Sequence, residues 1–386
     1  MGPILSRAES TNAGASMIQK RQLLEQRGGR YLLLAACIVF FGAVFSQAAN
    51  LDFHTHSYYS DGIKTPEAMV EIAQEIGLDY YALTDHDTVA CLARACKRAQ
   101  ELGVRIIPGV EISAEDDSVH LLSLGIDPSN SDLLQLLQVS SVQRLDRMRK
   151  ILDKLSSIGV ALKLKEDILI PKLNAERMAD GLGLADLSLD QAPVEEILAQ
   201  LQGQITRPDI AKALVAKGYA KDNRDAFVKY IGDEAIAAIP FNGPSFCAVI
   251  AIVHQAGGVV VLAHPYTIFK FKTFPLTYSG KGYPDFESFA NDLLEAGLDG
   301  FEVYRQGWEN SPDDYFRIQK IAVAYEQKTG RKVYLTPGSD YHGYDHGIGP
   351  GSMGGTRVPP DAVQDLEDLA ARLAGCSAHL RSNTMR

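Results

Sequence analysis

Apolar positions after residue 50 follow two rhythms. Short runs rich in Val, Ile, Leu and Tyr at 51–56, 79–84, 105–112, 118–125, 258–263, 299–304 and 332–338 have the length and composition of strands. Between them the spacing shifts to three and four, which predicts helices over 66–77, 88–102, 245–256, 285–296 and 313–328. The first helix carries its own boundary signals. Thr65 suits the N-cap, Pro66 the first helical position, and Gly77 lies past the end. Repeated β-α units predict parallel strands with helices packed outside them. Seven such strands are too many for a small sandwich, so the expected fold class is α/β, a distorted seven-stranded β/α barrel.

The rhythm changes between Asp127 and Pro240. Helical stretches near 131–158, 190–202, 208–217 and 222–231 replace strand signals. This block reads as a helical insertion after the fourth strand. The expected domains are a first barrel half at 50–126, a helical cap at 127–242, a second half at 243–376 and a frayed tail at 377–386. Ahead of them, residues 1–49 combine a basic flank (Lys20, Arg21, Arg27, Arg30), an apolar run from Leu32 to Phe45, and small residues at Ser46, Ala48 and Ala49. These are the parts of a secretory signal. As a helix the run reaches about 21 Å, short of a hydrocarbon core of about 30 Å. A cleaved signal and export to the periplasm or beyond is therefore expected. An uncleaved anchor is the first alternative. The second is a start site placed upstream of a cytoplasmic protein.

Composition narrows the function. The chain is 46% hydrophobic and 22% charged, the balance of a packed globular protein. Its net charge is −10, and residues 1–49 carry +3, leaving −13 on the body. That charge argues against double-stranded nucleic acid, and against a membrane surface except through the N-terminal segment. A small anionic substrate would need local cations. Five cysteines without a CxxC pair argue against a disulfide framework or a zinc finger.

The chemistry collects at predicted strand ends. His54-Thr55-His56 has i, i+2 spacing, which turns both imidazoles to one side of a strand. Asp61 follows in a loop. Thr84-Asp85-His86-Asp87 ends the second strand, Glu111 the third, and His120 opens the fourth. His264 ends the fifth and Ser339-Asp340-Tyr341-His342 the seventh. In a parallel barrel such ends line one mouth. Six of the nine histidines and three carboxylates converge there, more ligands than one ion takes. Mixed imidazole and carboxylate sets suit Mn²⁺, Zn²⁺ or iron. Glu111 is placed to bridge cations. Bland readings exist for each piece: Asp85 or Asp87 as a helix cap, Glu111 as an Arg partner, 338–340 as a turn. Six separate ends with one chemistry outweigh them. His254, His346 and His379 are expected to be non-ligands.

Taken in order, His54-Thr55-His56, Ser60-Asp61-Gly62, Thr84-Asp85-His86-Asp87, Pro108-Gly109-Val110-Glu111, His120, Ala263-His264-Pro265 and Ser339-Asp340-Tyr341-His342 resemble the PHP (polymerase and histidinol phosphatase) family. The resemblance implies a PHP-type distorted barrel and about three divalent cations (Mn, Zn or Fe). It implies one position held by His54, His56, Glu111 and Asp340. A second would share Glu111 and add His120 and His264. A third would use Asp61, His86 and His342. Glu111, Asp340 and His264 are the expected catalytic residues. The Asp at 61 is similar to the stand-alone phosphoesterase branch, which includes 3',5'-nucleoside bisphosphate phosphatases and carries an insertion between the fourth and fifth strands. There the insertion reads Arg-x-His, here Arg207-Pro208-Asp209. Arg207 is the expected substrate contact, with a solvent ion pair as its alternative. The segment 266–284, with Lys270, Lys272 and Lys281, reads as a longer, more basic and more aromatic loop than the branch has. The function expected is hydrolysis of a small, nucleotide-like phosphomonoester by metal-activated hydroxide. The alternatives are a phosphodiesterase or 5'-3' exonuclease on short oligonucleotides, an amidohydrolase, and a metal-binding regulatory module without turnover.

Overall fold

The computed structural model describes residues 50–374 apart from 116–118, 185–190, 237–238, 240, 306–311, 344–352, 355 and 357. The N-terminal segment, the tail from 377, His346 and His379 lie outside the described residues.

Nine strands occur among the described residues. They are β1 (Leu51–Asp52), β2 (Tyr80–Leu83), β3 (Ile106–Ala114), β4 (Val119–Leu124), β5 (Val259–Leu262), β6 (Leu276–Tyr278), β7 (Lys281–Tyr283), β8 (Gly300–Tyr304) and β9 (Tyr334–Pro337). Seven form one sheet in the order β1-β2-β3-β4-β5-β8-β9. The sheet curls until its two edges nearly meet. The Phe53 N–H donates to the Pro337 carbonyl at 3.1 Å, and the Asp340 N–H to the His54 carbonyl at 2.8 Å.

Two-residue periodicity divides the side chains as a closed sheet requires. Leu51, Phe53, Tyr80, Ala82, Ile107, Leu122, Leu124 and Val261 share one buried cluster with Val363, Leu366, Leu369 and Leu373 of the terminal helix Pro360–Leu373. Their neighbours Tyr81, Leu83, Ile106, Leu121, Val260 and Leu262 belong to a second cluster with the surrounding helices. The terminal helix was not assigned from sequence, although Val363, Leu366 and Leu369 repeat at helical spacing.

Three expectations are corrected. The sheet is not all parallel: β4 runs antiparallel to both β3 and β5, while the other pairs are parallel. The cause is the short connection from Ala114 to Val119, which suits a hairpin and cannot hold a crossover. The first strand ends at Asp52, not at 56, because the backbone beyond it bonds in turn to Pro337, Thr84 and Tyr341 instead of one neighbour. The segment 266–284 is not a plain loop. It holds the helix Tyr266–Phe271 and the β6–β7 hairpin. Among the described cysteines, Cys91 and Cys247 are free thiols and Cys96 is disulfide-bonded.

The helix Ser131–Ser157 leaves the barrel. Leu133, Leu136 and Leu137 pack in the barrel's outer cluster. Met148, Ile151, Leu152 and Leu155 pack instead with Ile168, Leu173, Ile197, Ile210 and Leu214 of the insertion. Asn130 starts this helix by accepting from the N–H groups of Asp132 and Leu133.

Candidate metal centre

Glu111 stands at the middle of the site, fully buried in β3. One of its carboxylate oxygens, Oε2, lies 3.2 Å from His54 Nε2, 3.3 Å from His56 Nε2 and 3.0 Å from His86 Nδ1. The other, Oε1, lies 3.1 Å from His120 Nδ1 and 3.0 Å from His264 Nε2. Five imidazoles therefore surround one carboxylate. The reversal of β4 is what brings His120 in, because the start of an antiparallel strand meets the same rim as the ends of its parallel neighbours. Asp340 Oδ1 lies 3.3 Å from His54 Nε2 and 3.1 Å from His56 Nε2. Asp61 Oδ1 lies 3.2 Å from His342 Nε2, and its Oδ2 3.7 Å from His86 Nε2.

All nine expected ligands thus meet at one opening. The groupings differ in part from those implied by the resemblance. Ligand atoms within 4.8 Å of one another form the sets His54-His56-Glu111, His86-Glu111-His120, His54-His264-Asp340 and His56-Asp61-His86-His342. His264 falls beside Asp340 as well as Glu111, and His86 spans two sets.

These residues fit divalent cations. Oε2 of Glu111 is buried among three ring nitrogens yet has no hydrogen-bond partner. Nε2 of His54 and Nε2 of His56 face each other at 3.0 Å, an arrangement that repels unless a proton or a cation lies between the lone pairs. The electrostatics agree. Burial opposes charge on His54, but Glu111, Glu302 and Asp340 outweigh it and hold the ring well above its usual range. Burial likewise opposes charge on His56, and Asp340, Glu111 and Asp61 push it up to about 10. Burial would raise Asp61, but His342, His86 and His56 hold it well below the usual carboxylate range. On His86 burial wins and lowers the ring. The carboxylates of the pocket stabilise positive charge placed beside them, whatever group carries it.

Several supporting residues escaped the sequence reading. Glu302 in β8 accepts from His54 Nδ1 at 3.0 Å and from the His264 N–H at 2.6 Å. This fixes the proton on Nδ1 of His54 and leaves Nε2 as the donor to a metal. Gly338 makes room for it, since a Cβ there would sit 1.8 Å from Glu302 Oε1. The only signal was a charge inside the buried strand Gly-Phe-Glu-Val-Tyr. Asp85 and Asp87 are not helix caps. Asp85 accepts from the Ser57 N–H and from the hydroxyls of Ser57 and Ser60 at 2.8, 2.6 and 2.6 Å. Asp87 accepts from the Ser113 N–H and from Arg144 Nε at 2.9 and 2.7 Å. The helix that follows starts later than expected, at Leu92. Asp87, His264 and Asp340 hold left-handed backbones, with φ of 49°, 29° and 54°, where non-glycine residues carry strain that clusters at functional sites. His254 pairs with Asp299 at 2.8 Å, outside the centre.

Arg207 opens the helix Arg207–Ala216, whose N-cap Thr206 forms a capping box with Asp209. Asp209, standing where the branch has His, is occupied by that box. Arg207 lines a cavity of about 130 Å³ whose other walls include Asp61, His86, His120, Arg144, Arg147 and Phe241.

The chain is similar to several known proteins. The PHP domain family model matches residues 52–230. A 5'-3' exoribonuclease of Escherichia coli is 31% identical over 225 residues, 56% of this chain and 66% of that protein. A 3',5'-nucleoside bisphosphate phosphatase of Chromobacterium violaceum is 28% identical over 328 residues, 84% of this chain and 98% of that one. Among solved structures, a Bifidobacterium adolescentis protein classed as a metal-dependent phosphoesterase superposes with a TM-score of 0.60 at 30% identity, covering 84% of this chain and 96% of its own. With its barrel and these relatives, the chain belongs to the PHP family of metal-dependent phosphoesterases.

Proposed function

We propose that this phosphoesterase releases phosphate from a small, nucleotide-like phosphomonoester. The observation that carries the reading is the cavity beside the metal centre. Its lining combines Asp61, His86 and His120 of the centre with Arg144, Arg147 and Arg207. Phe227 and Phe241 also line it, with Arg207 5.7 Å from the Phe227 ring centroid and Arg144 and Arg147 5.8 and 5.9 Å from that of Phe241. A phosphate presented to the centre would leave a second anionic group near the arginines and an aromatic group against the rings.

His54, His56, Glu111 and Asp340 would hold one divalent cation, Glu111, His120 and His264 a second, and Asp61, His86 and His342 a third. Cations there supply an acidified water to attack phosphorus and positive charge against the leaving oxygen. Glu111, with Oε2 toward His54, His56 and His86 and Oε1 toward His120 and His264, would serve more than one of these positions. Arg207 and Arg147 orient the substrate by charge-assisted hydrogen bonds to its phosphate oxygens. Arg144 is anchored by Asp87 and by Ser113 Oγ at 2.6 Å, so it shapes the wall with a fixed guanidinium. His264 turns Nε2 to Glu111 Oε1 at 3.0 Å and Nδ1 to Thr267 Oγ1 at 3.3 Å, so both ring nitrogens serve to seat it in the centre.

The test is phosphate release by the Mn²⁺-loaded protein from a nucleoside 3',5'-bisphosphate and from a 5'-phosphorylated dinucleotide. The bisphosphate should be the better substrate by kcat/KM. EDTA, Glu111→Ala and Asp340→Ala should each abolish turnover. Preference for the dinucleotide would instead favour the exonuclease reading. Tight Mn²⁺ binding without turnover on any phosphoester would leave a regulatory module.

A further inference from the structure

The Asp61 ligand sits on the loop 57–62, and three successive carbonyls of that loop are held by the insertion. Lys172, on the insertion helix Ile170–Ala179, is only 6% exposed. Its Nζ donates to the Tyr58 carbonyl at 2.8 Å and to the Ser60 carbonyl at 2.6 Å. The carbonyl between them, Tyr59, accepts from the Gln204 N–H at 2.7 Å. Around this contact the Tyr58 hydroxyl reaches Asp180 and the Tyr59 hydroxyl reaches Gln202, both at 2.7 Å. Glu176, one turn from Lys172, receives the N–H groups of Gln202 and Gly203 at 3.0 and 3.1 Å. Gly203 lets the two segments touch, since a Cβ there would lie 2.4 Å from the Tyr59 carbonyl oxygen.

An ammonium is buried at a large desolvation cost unless fixed dipoles replace its water. Here the dipoles are loop carbonyls that have no ladder partner of their own. Asp85 ties the same loop to the barrel from the other side through Ser57 and Ser60. The carboxylate of Asp61 is therefore aimed by a loop clamped between barrel and insertion.

We propose that Lys172 is a positioning residue for Asp61, so that the insertion sets the cation affinity of the Asp61-His86-His342 corner of the centre. The proposal rests on the metal-centre reading above, and its test separates the two. Full-length wild type, Asp61→Asn, Lys172→Met, Lys172→Arg and Gly203→Ala would be titrated with Mn²⁺ and the free ion followed by EPR. Asp61→Asn identifies the binding step that Asp61 serves. Lys172→Met should weaken that same step about tenfold or more and leave the other steps in place. Lys172→Arg, which keeps the cation and its donors, should recover part of the loss. A folded Lys172→Met protein whose curve overlays wild type overturns the proposal. Should Lys172→Met fail to fold, Gly203→Ala displaces the same loop by a different route. A weakened Asp61 step then supports the proposal and an unchanged curve overturns it. A wild type that takes up no Mn²⁺ overturns the metal centre and this proposal together.

Discussion

Glu302 touches no substrate cavity near Arg207, yet it governs two of the nine candidate ligands. Its carboxylate holds Nδ1 of His54 and the backbone of His264 at once. Glu302→Ala leaves the His54 Nδ1–H without its acceptor, frees the ring to turn, and should lower Mn²⁺ affinity about 10–100-fold in a direct titration. Glu302→Gln, which keeps an acceptor, should lose less. The imidazoles make a second expectation at this scale. His54 and His56 are held above their ordinary range by neighbouring carboxylates, so at neutral pH these rings carry protons that a cation must displace. Metal uptake should release protons, and affinity should fall as pH falls. Titration calorimetry in buffers of different ionisation enthalpy counts them. Zero release at pH 7 would contradict this account.

At the level of elements, the ligand-bearing segments were readable because each is short and local: HTH, TDHD, PGVE and SDYH carry their spacing with them. Their supports were not. Asp85 and Lys172 act on the loop 57–62 from 25 and more than a hundred residues away, and no sequence period records such contacts. The reversal of β4 was legible in hindsight from its short connection to β3, but the β-α rhythm on either side pointed to parallel pairing. The one-residue difference from Arg-x-His is explained by local structure. Asp209 caps the helix that presents Arg207, so the helix start is kept while a ring is lost. Arg207→Ala should therefore spare the fold, since the cap lies at Thr206 and Asp209. It should raise KM more than it lowers kcat, measured by phosphate release. An equal fall in kcat and kcat/KM would place Arg207 in the transition state instead.

For the whole molecule, charge limits what can reach the centre. A net charge of −10 is poorly suited to a long strand, which needs an extended basic track. Turnover should decline as oligonucleotide substrates lengthen beyond a few residues, and added salt should relieve that decline by screening the repulsion. Rates that climb with length would show that the arginine cavity opens into a strand-binding groove.

The antiparallel course of β4 has one more effect. The chain leaves β4 at the floor of the barrel, where the Asp127 N–H meets the Ala256 carbonyl, whereas Arg144 meets Asp87 at the rim. The 27-residue helix Ser131–Ser157 has to climb that distance, and Arg144 is its fourteenth residue, about 20 Å up at 1.5 Å each. The helix works as a measured strut. Excising a single residue below Arg144 would swing the guanidinium about 100° around the axis and away from Asp87. In the last turn, at Ser157, the same excision would leave its bearing untouched.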